Sequence, residues 1–195
     1  MSAQPHPHIT VEDYFRLDAE AEFKSEYFDG EMYAMSGGSA PHAIIGVNLA
    51  AELRRVLRHK GCTVASSDLR VRVGARGRYA YPDVAVFCGE GQYAEENRDT
   101  LINPALLVEV LSQSSESRDR GLKSTLYRRI PTVREYLLVS QTEARVEVYT
   151  RQAQVWVLSE FAGLDSTCRL AAFDGEIPMS EIYLSVNVPP QPVDL

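Results

Sequence analysis

The sequence predicts an α/β protein, a mixed β-sheet flanked by helices. Three observations carry that prediction. Asp29-Gly30 stands between two aromatic-rich runs, which signals a hairpin closed by a type I′ turn. Residues 41–60 keep Ile45, Leu49, Leu53 and Val56-Leu57 on one helical stripe. Residues 105–111 are apolar on both faces, as a central strand covered on each side must be.

The elements follow in chain order. Residues 1–9, with His6 and His8 among prolines, read as an irregular tail rather than a metal site. Residues 10–17 read as a short helix with Thr10 as N-cap and Glu12 and Asp13 in its first turn. The hairpin around Asp29-Gly30 comes next, and then a Gly37-Gly38-Ser39 loop. Gly61 suits the residue after the 41–60 helix, whose last turns carry Arg54, Arg55, Arg58 and Lys60. Residues 62–73 read as strand, polar turn at Asp68, and strand, and 74–77 as a turn. A strand over 83–88 begins just after Pro82, where proline is tolerated, and a polar loop over 89–104 precedes the central strand. Ser115 is the expected N-cap of a helix over 116–129 with Leu122, Leu126 and Ile130 as its core stripe; Pro131 ends it. Residues 135–140 form a strand, 145–151 and 154–160 a C-terminal hairpin, and 177–183 a short helix. Residues 187–195 read as an irregular tail.

A chain of 195 residues with 45% apolar and 24% charged residues fits one globular domain over 1–195. No apolar run approaches the roughly 18 residues of a membrane helix, and the N-terminus has no secretory pattern. Cys62, Cys88 and Cys168 are scattered and odd in number, so they are expected to be free thiols in a reducing, cytoplasmic setting. The net charge of −7 is unevenly spread: residues 1–31 carry −6, 32–134 carry +5 and 135–195 carry −6. A basic middle between acidic ends is compatible with a local polyanion site, and also with arginines that only solvate helix faces.

Two carboxylates stand out by position. Glu109 lies inside the apolar run, where a lone charge costs several kcal/mol, so it must be neutral, paired or bound to a cation. Asp83 opens the preceding apolar strand, and consecutive strands are often neighbours. Converging carboxylates suit a Mg²⁺ site for phosphate chemistry. The alternative is that Asp83 caps a turn and Glu109 pairs with an arginine. Asp119, Lys123 and Tyr127 form a stripe at helical spacing, either a surface pair or an ammonium leaning toward Glu109.

Tyr81-Pro82-Asp83, Val108-Glu109-Val110-Leu111-Ser112, Asp119-x-x-x-Lys123-x-x-x-Tyr127 and Val133-Arg134-Glu135-Tyr136-Leu137-Leu138-Val139 together resemble a restriction-endonuclease family expanded in cyanobacteria, the Uma-two type. That family falls in the PD-(D/E)XK nuclease superfamily. Glu26-Tyr27-Phe28-Asp29-Gly30-Glu31 and His42 also match, and the resemblance covers residues 10–183. It implies a restriction-endonuclease-like core with added N-terminal and C-terminal β-hairpins. It further implies a DNA substrate, paired subunits in a homodimer, and Asp83 and Glu109 as ligands of Mg²⁺ (or Mn²⁺). The superfamily's usual lysine lies two residues after the glutamate, where this chain has Leu111, so Lys123 is nominated in its place. Glu26 is the fourth catalytic candidate, against a surface hairpin role; His42 is a phosphate or proton-transfer candidate, against a structural hydrogen bond. The implied reaction is in-line hydrolysis of a phosphodiester, with Lys123 orienting water or stabilising developing charge.

Two rivals stay open. One is a catalytically silent binding or assembly module on the same fold, favoured by the acidic flanks and by Leu111. The other is a carboxylate-pair glycosidase, which requires a sugar cleft without a cation.

Overall fold

The computed structural model describes residues 8–35, 37–74 and 77–189. Helix α1 (Val11–Glu20) starts at Thr10, whose hydroxyl accepts from Asp13 N at 3.1 Å. Strands β1 (Ser25–Phe28) and β2 (Glu31–Ala34) form the expected hairpin, with Asp29 and Gly30 both at positive φ. Helix α2 (Ala40–Leu57) is capped by Ser39, whose hydroxyl accepts from His42 N at 3.2 Å. It ends in a 3₁₀ turn and a left-handed Gly61.

Six strands form the main sheet in the order β11-β10-β9-β8-β6-β3. They are β3 (Cys62–Ser66), β6 (Val84–Cys88), β8 (Leu106–Leu111), β9 (Glu135–Ser140), β10 (Arg145–Gln152) and β11 (Val155–Ala162). Only β8 and β9 run parallel within it. β8 is central and every residue in it is buried, as its two-sided apolar pattern requires. Val108 and Val110 face α2 through Ile45, Leu49 and Leu53. Leu107 and Leu111 face the opposite way, toward Leu126, Tyr127 and Ile130. Glu109 belongs to that second face by the alternation of a strand.

A second sheet covers part of the Glu109 face. Its order is β2-β1-β5-β4-β7, with β4 (Arg70–Arg72), β5 (Tyr79–Ala80) and β7 (Thr100–Leu101). The strand–turn–strand of residues 62–73 is thus divided: β3 joins the main sheet and β4 the second one. The two residues of β7 lie in the stretch expected to be loop. A small ladder of β12 (Thr167–Leu170) and β13 (Gly175–Pro178), followed by α5 (Met179–Ile182), closes the α2 side. His6, most of the two tails and the centre of the 74–77 turn lie outside the described residues. Ile9 is tied to the hairpin through its N–H to Gly30 O at 3.0 Å, so it is not irregular tail.

Two expectations are corrected. Cys62 and Cys88 are not free thiols: they form a disulfide, and only Cys168 is free. They are 26 residues apart, but the antiparallel β3–β6 register sets them directly opposite each other. The helix over 116–129 is not a continuous α-helix. It consists of α3 (Glu116–Arg118), a π turn (Asp119–Lys123) and α4 (Ser124–Tyr127). Ser115 has helical φ and ψ and provides no side-chain cap; its hydroxyl pairs with Ser112 Oγ at 2.9 Å. Leu122 is 38% exposed rather than part of the core stripe, because the π turn shifts the phase of the helix.

Glu135 begins β9 at the end of the sheet away from Asp83. Its Oε1 accepts from Ala172 N (2.8 Å) and Thr150 Oγ1 (3.1 Å), while the buried Oε2 has no hydrogen-bond partner among the described residues. Burial pushes its carboxyl from 4.5 up to about 7, against the lowering effect of those donors and Arg134. Because the folded value is the higher one, the stability contributed is complete below pH 4.5 and lost as pH rises through about 7. That loss amounts to roughly 3 kcal/mol. Glu135→Gln should therefore raise the melting temperature at pH 8 and raise it much less at pH 5. An equal change at both values would rule out a titrating Glu135.

Candidate active site

Asp83 immediately precedes β6, and the β6–β8 register pairs Val84 with Val108. Continued by one residue, that register sets Asp83 opposite Glu109, on the same face and at the same end of the sheet. Asp83 Oδ2 accepts from Val110 N at 2.7 Å, which fixes the carboxylate against β8. His42 Nε2 lies 3.4 Å from the same oxygen. The Ser39 cap determines that position, since it starts α2 so that the imidazole in the first turn meets Asp83. Asp83 holds the His42 pKa above its ordinary value, its hydrogen bond and charge outweighing partial burial.

Glu109 Oε1 accepts from Lys123 Nζ at 3.0 Å and from Tyr127 OH at 2.8 Å. Lys123 Nζ also meets Glu26 Oε1 at 2.7 Å and Asp119 Oδ1 at 3.3 Å. Its side chain is only 5% exposed. Glu26 is buried in β1 and accepts from Tyr81 N at 3.2 Å, so the hairpin residue is an interior acid and not a surface one. All four predicted residues, Glu26, Asp83, Glu109 and Lys123, line one cleft of about 670 Å³ together with His42.

The charges in this cleft do not balance. Burial raises the Glu109 pKa well above the carboxylate range, opposed by Lys123 and reinforced by Asp119, Asp83 and Glu26. Burial alone would lower the Lys123 pKa, but the fields of Glu109, Glu26 and Asp119 raise it above its ordinary value. Lys123 is therefore a charged ammonium that three carboxylates share. Both oxygens of Asp119 are buried and, among the described residues, accept no hydrogen bond; Lys123 Nζ meets Oδ1 as an ion pair. With Glu26, Asp83, Glu109 and Asp119 all ionised, Lys123 and Arg118 would not balance them, so Glu109 takes up a proton or the cluster a cation.

The donor set fits a divalent metal. Asp83 and Glu109 offer hard oxygen ligands, and among the described residues no hydrogen bond is made to Asp83 Oδ1 or Glu109 Oε2. Among the described residues no group of three or more His, Cys, Asp or Glu is arranged around a metal position. The protein would supply two carboxylates, consistent with the preference of Mg²⁺ for keeping several waters. Lys123 is also the cation that a carboxylate-pair glycosidase cleft was required to lack.

The π turn explains why Lys123 points inward. Ser124 N bonds to Asp119 O, the i→i+5 link that inserts a residue into the helix. Both Asp119 and Lys123 are buried by it, while Leu122 is turned out. Sequence reasoning missed Arg118 and Tyr33. Arg118 lines the same cleft, and its guanidinium lies 4.1 Å from the Tyr33 ring centroid. No spacing marked it among the fifteen basic residues of the middle segment.

Residues 11–179 match the family model Uma2, described as "Putative restriction endonuclease". The chain is 35% identical over 162 residues to the uncharacterized protein slr1290 of Synechocystis sp., covering 83% of this chain and 84% of that one. It is 33% identical over 156 residues to the uncharacterized protein sll1609 of the same organism, covering 80% and 88%. Its fold matches a crystal structure from Anabaena variabilis titled "a putative nuclease belonging to DUF820", with a TM-score of 0.71 and 21% identity over 90% of this chain and 97% of that one.

Lys123→Met leaves Glu26, Glu109 and Asp119 buried around a lost cation. Chemical denaturation should show a loss of about 3–5 kcal/mol, far above the ~0.5 kcal/mol of an exposed helix pair. A loss near the lower figure would mean that the three carboxylates do not depend on Lys123.

Proposed function

The chain belongs to the Uma2 family, and from that premise we propose that it is a metal-dependent endonuclease hydrolysing DNA phosphodiester bonds. The observation that carries the proposal is the buried Lys123 ammonium between Glu109 and Glu26, in the cleft that Asp83 also lines. The whole of residues 1–195 is read as a single domain organised around that cleft.

Asp83 and Glu109 are the residues that would hold Mg²⁺ or Mn²⁺. When bound, such an ion polarises the phosphodiester and makes a water nucleophilic near neutral pH. The protein's part is positioning and charge. Val110 N–H orients Asp83, and Tyr127 OH and Lys123 Nζ orient Glu109. Lys123, whose N–H groups stay on the acids, would act through the field of its charge as negative charge develops on the phosphoryl oxygens, and Glu26 holds its ammonium in place. His42 supports Asp83 from the helix side. Arginines of the basic middle segment would hold the DNA backbone.

The reading includes a homodimer. β11 is an edge strand of eight residues, without proline or lysine, and Val155 on it is 60% exposed. Natural sheets usually blunt such an edge, and a second copy of this chain laid along β11 would cover it. A cytoplasmic location belongs to the same reading through the DNA substrate; the free-thiol argument for it falls with the disulfide.

The test is cleavage of supercoiled and linear DNA in Mg²⁺ or Mn²⁺, with light scattering on the same preparation. Wild type should cut and EDTA should stop it, and the particle should have twice the 21.8 kDa chain mass. Asp83→Asn keeps the acceptor for Val110 N and should lower the rate by roughly two to three orders of magnitude without changing the melting temperature. Failure of wild type to cut any DNA would favour the catalytically silent binding or assembly module. A single-chain mass at micromolar concentrations would remove the dimer.

A further inference from the structure

We propose that Arg118 is the phosphate-binding residue of this cleft, its guanidinium held by the Tyr33 ring so that its N–H edge receives a backbone phosphate of the DNA. This rests on the nuclease reading and assigns the one step that reading leaves open, namely how an acidic cleft accepts a polyanion.

Lys123 is not available for that task. An ammonium has three N–H donors, and Lys123 Nζ already faces Glu26, Glu109 and Asp119 at 2.7, 3.0 and 3.3 Å. It could take a phosphate oxygen only by releasing one of the buried carboxylates. Arg118 differs on each count. Its side chain is 32% exposed, and its ion-pair partner Glu26 Oε2 is 3.9 Å from its Nη1, beyond hydrogen-bond reach. Arginine offers five donors in a planar fork that matches two phosphate oxygens, and it keeps its charge at any working pH.

The ring contact gives the orientation. At 4.1 Å from the Tyr33 centroid, the guanidinium has an aromatic face to rest on. Tyr33 is itself tied down by its OH to Glu31 Oε2 at 2.5 Å. A guanidinium stacked through its face keeps its N–H edge for a ligand. The π turn gives the position. Over this spacing an α-helix at about 3.6 residues per turn would send Arg118 and Lys123 to different sides. The i→i+5 turn brings both to the same cleft, Lys123 buried among the acids and Arg118 at the wall.

The experiment measures binding of a short labelled DNA duplex in Ca²⁺ over a series of salt concentrations. The proteins are wild type, Arg118→Ala, Arg118→Lys and Tyr33→Leu, each checked by its melting temperature. Arg118→Ala should weaken binding roughly tenfold or more, as loss of a charge-assisted pair does. It should also lower the slope of log affinity against log salt by about 0.9, the value of one phosphate contact. Arg118→Lys should restore the slope but not the full affinity. Tyr33→Leu should weaken binding with the slope unchanged, and it remains a test if Arg118→Ala does not fold. Wild-type binding with an unchanged affinity and slope in Arg118→Ala and Tyr33→Leu would overturn the assignment alone. No binding by wild type would overturn the nuclease reading, and the assignment with it.

Discussion

A single buried ammonium has to serve three carboxylates, and the rest of the cleft is built around that shortage of positive charge. Glu26 comes from an early hairpin, and Glu109 and Asp119 from a central strand and the π turn that soon follows it. They are tolerable in the interior only because Lys123 stands among them, and even so the balance remains negative. Replacing such a cluster by apolar side chains would often leave a protein as stable or more so. On the proposed reading the cluster has a use: it offers a place for an incoming cation beside Asp83. The opposite directions of burial at Glu109 and of acid fields at Lys123 describe the same deficit from its two sides.

The π turn is the local device on which this depends. Without the inserted residue, the apolar stripe expected at Leu122, Leu126 and Ile130 would continue unbroken and Lys123 would lie at its edge. With it, Leu122 turns to solvent and Lys123 and Asp119 go inside. Gly121 within the turn lowers the cost of leaving regular helix geometry. The exposure of a leucine is thus the cost at which a charged residue is directed to the sheet. The far end of the same sheet is held differently, by the Cys62–Cys88 disulfide and the buried Glu135. The disulfide and the buried Glu135 are therefore separated from the cleft by the length of the central strands.

Much of the architecture was legible in the residues because it rests on local rules. The two-sided apolar run of β8, the Asp29-Gly30 turn, the Thr10 cap and the Gly61 terminus each express a preference that operates within a few positions. Glu109 and Asp83 stood out by position, an acid inside an apolar strand and one opening its neighbour, whereas Lys123 was left open by its stripe and was nominated, like Glu26, by the family resemblance. What stayed hidden is non-local. The disulfide depends on a strand register that brings residues 26 apart face to face. The separation of β3 from β4 into two sheets depends on which partners each finds. The π turn defeats periodicity, because a stripe read at 3.6 residues per turn assumes the regular helix that it interrupts. Arg118 was concealed by the same phase shift.

Diffraction from crystals grown with Mn²⁺, measured for its anomalous signal, decides whether Asp83 and Glu109 form one cation site beside a lysine shared by three acids. One manganese peak is expected, bonded to oxygens of both Asp83 and Glu109, with Lys123 Nζ still on Glu109 and Glu26. Manganese bonded to neither acid, or a cleft whose carboxylates turn away from each other in its presence, would contradict it.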